Sequence, residues 1–343
     1  MAGEIKSRRD HAACSGCSLC LLVCPSWRRS RDLRLTPHGR FKALQHGATL
    51  ADLVPAIADC SLCGACEPIC PENIDVVDAM LEVRRQLPQT IVGTNLNAAM
   101  QDLPPRPLFG PAPTDVVLLA PTTYKWRPHV TAAIREVLGG PRYISIEQDG
   151  GADIALALEV GAPIPDERLE RFLAPLKLRK TIIVADGLLQ RSLRQWLPHA
   201  HIVSIGWALS SLPSVRAALG PGDLYVIEPR AFHLDHANLV RHYDDLRAAT
   251  GCTLNLDLNR MAIPARAPGL ACSLGFEQPQ DTAQICWLLK GRRIRRVIVE
   301  CELDRAAFER ECRLPVFHAA EAEPVVPDAL IDSDEPVTIR IGN

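Results

Sequence analysis

The chain has 343 residues, 47% of them hydrophobic, and a formal net charge of -2. That length predicts two domains with separate cores, and the near-neutral balance gives no global reason to expect nucleic acid or an anionic membrane surface as partner. The first residues, MAGEIKSRRDHAACSG, lack the apolar core of a secretory signal, and no apolar run approaches the roughly 20 residues needed to cross a bilayer. We therefore expect a cytoplasmic protein with no transmembrane segment, attached peripherally to the inner membrane face, if at all, through a partner.

Thirteen cysteines dominate the composition, and in a reducing compartment they do not imply a disulfide framework. Two runs repeat one spacing, Cys14-Ser-Gly-Cys17-Ser-Leu-Cys20-Leu-Leu-Val-Cys24-Pro25 and Cys60-Ser-Leu-Cys63-Gly-Ala-Cys66-Glu-Pro-Ile-Cys70-Pro71. A Cys-x-x-Cys-x-x-Cys loop can wrap three irons of a cubane [4Fe-4S] cluster, but it cannot fold back to cap the fourth. In bacterial two-cluster ferredoxins this spacing ends in Cys-Pro, and the last cysteine binds the other cluster. The spacing thus predicts two [4Fe-4S] clusters with crossed ligation. Cys14, Cys17, Cys20 and Cys70 would hold the first, and Cys60, Cys63, Cys66 and Cys24 the second. Zinc is the competing reading, but it uses two separated cysteine pairs, whereas here four thiols crowd into each run. A cluster with all its sites ligated passes electrons and binds no substrate.

Between the runs, residues 25–59 form an insertion. WRRSRDLR (27–34) is its concentrated basic patch, read either as a solvated, charge-balancing loop or as a docking surface for an acidic redox partner. TPHGRFKALQHG (36–47) reads as a turn and a short helix. Further on, DLPPRPLFGPAPT (102–114) places five prolines between Pro104 and Pro113 and predicts a stiff linker. Apolar bursts then alternate with helical stretches: DVVLLA (115–120), RYISI (142–146), KTIIVAD (180–186), HIVSI (201–205), DLYVIE (223–228) and RRVIVEC (295–301). That alternation predicts a layered α/β domain with largely parallel sheets.

DVVLLAP (115–121) parallels DLYVIEP (223–229), and IIVADGLLQRSLRQWLP (182–198) parallels VIVECELDRAAFERECRLP (297–315). The period of roughly 110 residues exceeds a solenoid repeat, so two fused lobes are expected. The fold class read from the sequence is an α+β, ferredoxin-like two-cluster module, mostly helical and loop, over residues 1–101. After the linker comes a duplicated α/β domain over residues 115–320, with lobes at about 115–222 and 223–320. An acidic tail over residues 321–343 completes the chain.

With the two runs, the Thr-Pro-x-Gly-Arg insertion, CSLCGACEPICPENID (60–75) and the duplicated region taken together, the chain resembles a known family. It is similar to the iron–sulfur subunits of glycolate oxidase, of anaerobic glycerol-3-phosphate dehydrogenase and of heterodisulfide reductase. The resemblance implies an electron-transfer subunit that relays single electrons from a flavoprotein dehydrogenase toward a quinone-reducing membrane subunit or another carrier. Family lobes carry an early cysteine, a Cys-Cys-Gly and a late Cys-x-x-Cys. Here Pro121 to Thr123, Asp149 to Gly151 and Ala185 to Leu188 stand at those places in the first lobe. In the second lobe Pro229 and Arg230, Ala271 and Cys272, and Cys301 to Asp304 stand there.

The lobes therefore read as degenerate cluster domains, with Cys272 and Cys301 as packed thiols. His199, His201, His233 and His236 fall near strand ends and are read as surface or satisfied-core histidines rather than ligands. The alternative is a self-contained oxidoreductase whose lobes bind substrate or a third redox centre. No G-x-G-x-x-G after a strand, no P-loop and no G-x-S-x-G elbow speaks for it. A third class is a non-redox scaffold with structural clusters.

Overall fold

A computed structural model describes residues 10–87, 114–120, 127–147, 149–266, 270 and 281–324. The expected linker lies outside the described residues except for Thr114, and so does the acidic tail beyond residue 324. Residues 10–87 contain helices and loops only, including Pro25–Ser30, Pro37–Gln45, Val54–Ala58 and Val76–Arg85. The remainder builds two four-stranded sheets. The first takes the order β2-β1-β3-β4, from Ile144–Ile146 (β2), Val116–Leu119 (β1), Thr181–Val184 (β3) and His201–Ser204 (β4). The second takes the order β6-β5-β7-β8, from Thr253–Leu254 (β6), Asp223–Val226 (β5), Arg296–Val299 (β7) and Val316–His318 (β8). Every strand pair in both sheets is parallel.

All six apolar bursts are strands. β6 and β8, of two and three residues, complete the second sheet and lie outside the six bursts. The strands that the sequence pairs across the lobes occupy the same places, β1 and β5 second in their sheets and β3 and β7 third.

Alternation along the strands sorts side chains into three cores, because successive residues point to opposite faces. Val117, Leu119, Ile182 and Val184 face the N-terminal segment and share one cluster with Phe41, Ile57, Leu62 and Met80. Leu118 and Ile183 face the other way and meet Tyr225, Ile227 and Ile298 of the second sheet. Leu224, Val226, Val297 and Val299 turn outward onto Ile285, Leu288 and Phe308. The N-terminal segment thus packs on the first sheet through a continuous apolar core, which places the cysteine runs against the lobes.

Candidate functional site

Both cysteine loops fold the same way although their spacer residues differ. Positive φ occurs before the second cysteine, at Gly16 (83°) and Leu62 (55°), and again after it, at Ser18 (65°) and Gly64 (78°). Each loop has one glycine and one side-chain-bearing residue at these two positions, in opposite order. Left-handed residues alternating with ordinary ones turn successive amides toward one concave side, the nest geometry that accepts anions and iron–sulfur clusters. Leu62 tolerates this backbone because its side chain is buried in the first core. After each run the chain turns away at proline: Pro25 opens the helix Pro25–Ser30 with Cys24 as its N-cap.

The loops surround two hollows. One, of about 380 Å³, is lined by Cys24, Cys60, Cys63 and Cys66. The other, of about 390 Å³, is lined by Cys14, Cys17, Cys20 and Cys70, with Cys66 also at its edge. Each hollow thus receives three cysteines of one run and the last cysteine of the other. Pro37, Cys66 and Val76 line both, so single side chains separate them. Among the described residues no three His, Cys, Asp or Glu side chains converge as they would around one ion; the thiols stand instead around the walls of these hollows. The nests and the four-cysteine walls fit a cubane group.

The hollow of Cys24, Cys60, Cys63 and Cys66 is the inner one, with Cys24 and Cys63 buried. Burial pushes the Cys63 thiol up to about 11, and it also raises Cys66 and Cys24, with the Arg40 cation pulling Cys24 back. Metal binding must therefore release these protons. The backbone of the Cys60–Cys66 loop is held by side chains from outside it. Arg84 donates to the carbonyls of Ile57 (3.2 Å) and Cys60 (2.5 Å). Arg230, at the start of the second lobe, donates to the Ser61 carbonyl (2.9 Å) and pairs with Glu159 of the first lobe. His233 sits against the Cys63 carbonyl at 2.6 Å through Nδ1, while its Nε2 accepts from the Ala262 N–H at 3.1 Å. The second bond assigns the proton to Nδ1, so His233 is neutral and donates to Cys63. Burial agrees, taking its pKa down to about 3.

The insertion motif Thr-Pro-x-Gly-Arg has a local explanation. The Thr36 hydroxyl accepts from the Gly39 N–H at 3.1 Å and caps the helix Pro37–Gln45. A Cβ at Gly39 would fall 2.0 Å from the Leu33 carbonyl oxygen, and Arg40 turns inward to donate to the Ala56 carbonyl at 2.8 Å. This short helix walls both hollows.

The outer hollow approaches solvent. Cys17 is exposed, as are Leu19 and Leu22 beside it, although burial still pushes the Cys20 thiol up to about 12. Lys42 donates to the Cys14 carbonyl at 3.3 Å.

Several other sequence readings are decided by their surroundings. Within the basic patch Arg28 pairs with Asp257 at 2.6 Å and covers the Trp287 ring, Arg29 pairs with Asp59, the exposed Arg34 pairs with Asp32, and the exposed Arg31 lies over the Trp27 ring. Arg28 thereby ties the N-terminal segment to Asp257, after β6. His201 stacks edge-on to Trp207, and His236 lies half-buried beside Phe232. His199 stands exposed in the turn after the helix Gly187–Trp196. Asp149 and Asp153 clamp Arg168 at 2.7 to 2.9 Å. Asp186 caps the helix Gly187–Trp196. Cys301 is buried at the N-cap of the helix Glu302–Glu311. Cys272 and the Pro121–Thr123 position lie outside the described residues.

Residues 10–74, which contain all eight run cysteines, match the 4Fe-4S dicluster domain family. The chain is an iron–sulfur protein. A domain of this kind binds at least one [4Fe-4S] cluster and transfers electrons. No curated protein and no solved structure matches the chain. Among the described residues no helix is long and apolar enough to cross a membrane.

Proposed function

We propose that this iron–sulfur protein is the electron-transfer subunit of a multi-subunit redox complex, carrying single electrons between a flavoprotein dehydrogenase and a quinone or other carrier. Cys14, Cys17, Cys20 and Cys70 hold an outer [4Fe-4S] cluster, and Cys24, Cys60, Cys63 and Cys66 hold an inner one. The observation that carries this reading is the pair of adjacent hollows, each walled by three cysteines of one run and the fourth of the other. Two clusters separated by single side chains form a short electron path, and with all eight run thiols engaged no iron keeps an open coordination site. When bound, the clusters supply one-electron redox chemistry; the protein positions them, excludes water from the inner one and exposes an edge of the outer one.

The lobes are read as a duplicated, degenerate relative of the cysteine-rich lobes of glycolate oxidase, glycerol-3-phosphate dehydrogenase and heterodisulfide reductase subunits. Support comes from the shared strand order of the two sheets. The Arg168 clamp and the Asp186 cap, which fill two cysteine positions, support the degenerate character. The domains follow as a two-cluster module, a linker and a lobe pair. Isolation of the tagged chain from its host under anaerobic conditions tests the assignment. A flavin-containing subunit should accompany it, and that subunit's substrate should bleach the visible iron–sulfur absorption. Turnover of a substrate by the isolated chain, with no partner, would favour the self-contained oxidoreductase.

A further inference from the structure

Two arginines beside the inner hollow make no ion pair with a carboxylate among the described residues, although the Glu159 charge acts on Arg84 from nearby. Arg40 and Arg84 are 1% and 0% exposed. Arg40 gives its Nη1 to the carbonyls of Leu35 (3.0 Å) and Ala56 (2.8 Å). Arg84 gives its guanidinium to the carbonyls of Ile57, Cys60 and Glu159. The Nε of each is buried without a partner. The carboxylate of Glu159 is engaged by Arg230 instead.

A guanidinium stays charged in a protein, and removing it from water is expensive unless an opposite charge or a full set of acceptors compensates. Backbone carbonyls supply part of that compensation. The rest points to the hollow, which Arg40 lines directly and which Arg84 approaches from behind through the Cys60 carbonyl. A cluster held by four thiolates is net negative, and reduction adds one more negative charge. Nearby buried cations therefore favour the reduced form, and in a low-dielectric surrounding they act strongly. The outer hollow provides an internal contrast, since its described cation, Lys42, is only half-buried and bonds to Cys14 and Gln45.

We propose that Arg40 and Arg84 are the counter-charges of the inner cluster and hold its reduction potential up by stabilising the form that carries the extra electron. They act as positioning and tuning residues and are not ligands. The proposal rests on the two-cluster reading above.

The test is a redox titration of the full chain, reconstituted with iron and sulfide. Dithionite donates the electron, ferricyanide removes it, and electron paramagnetic resonance follows each cluster. The wild type is measured first: about eight irons and eight sulfides per chain are required, and about four fail the two-cluster reading itself. Cys60→Ser identifies which signal is the inner one. Arg40→Gln and Arg84→Gln should then shift the inner midpoint to more negative values and leave the outer one in place, while Arg40→Lys and Arg84→Lys should restore most of the shift. Unmoved midpoints in both Gln variants, or equal shifts of both clusters, would overturn the proposal. If a Gln variant fails to assemble the inner cluster, iron content decides. Assembly in the Lys variant supports a requirement for charge, and failure there as well assigns the arginines to shape alone and overturns the proposal.

Discussion

His233→Leu removes one of the two side-chain links, the other being Arg230, by which the second lobe holds the inner cysteine loop. The imidazole is buried, donates to the Cys63 carbonyl at 2.6 Å and accepts from the Ala262 N–H at 3.1 Å. Leucine has a similar volume and satisfies neither group, so one buried carbonyl and one buried amide lose their partners. Each such orphan costs about 1–3 kcal/mol, which gives roughly 2–6 kcal/mol for the pair. That is a large share of a stability that is typically about 5–15 kcal/mol. The assay is anaerobic urea unfolding of the iron-loaded chain, followed by far-ultraviolet circular dichroism and by visible absorption. His233→Asn places an amide N–H near the Nδ1 position and should recover the part that belongs to Cys63; His233→Gln should recover the part that belongs to Ala262. The reasoning fails if His233→Leu unfolds within about 0.5 kcal/mol of the wild type, the range of an ordinary surface change.

Cys24→Ser is expected to disturb the cluster of Cys60, Cys63 and Cys66 and to spare that of its sequence neighbours; spectroscopy that resolves the two clusters, showing loss only at Cys14, Cys17 and Cys20, would mean uncrossed ligation. Glu300→Gln should stabilise the chain at high pH. Burial lifts the Glu300 carboxyl to about 7 from an ordinary value of 4.5, even though the Tyr243 hydroxyl donates to it at 2.6 Å. The folded state therefore holds a proton that the unfolded chain has lost, and wild-type stability falls as pH rises from about 4.5 to 7. The gain from the variant should reach roughly 1–3 kcal/mol at about pH 8 and vanish near pH 4.5 in thermal or urea unfolding; a gain independent of pH would refute this. Replacing Cys272 and Cys301 together by Ala should leave iron content and electron transfer intact, at a cost of about 1–3 kcal/mol if both thiols only pack. Iron lost beyond that of the two runs, measured by colorimetric assay, would place a third centre in the lobes.

The chemistry of the site was legible because a cluster needs its ligands at short, fixed spacing, and both runs lie within single loops. Six of the eight strands were legible because buried parallel strands are continuous apolar bursts. The left-handed twist at Leu62 was hidden by a side chain at a position where glycine would ordinarily signal it. Aligning the two runs would have revealed it, since Gly16 occupies the matching place. Nothing in the sequence signalled that Arg84, Arg230 and His233 hold the inner loop. Their partners at residues 57–63 lie from 24 to 170 positions away, and only the packing of the lobes on the N-terminal segment brings them together. His233 read as one histidine among four near strand ends, and nothing local distinguishes it from His199 or His236. The pairing of Arg28 was hidden for the same reason: its acidic partner Asp257 is 229 residues away.

Iron, acid-labile sulfide and zinc determined per chain on anaerobically purified full-length protein test the central claim most directly. Two hollows walled by crossed sets of four cysteines predict about eight irons and about eight sulfides, with negligible zinc. About four irons would leave one hollow without a cluster, and stoichiometric zinc would contradict the iron–sulfur assignment of both.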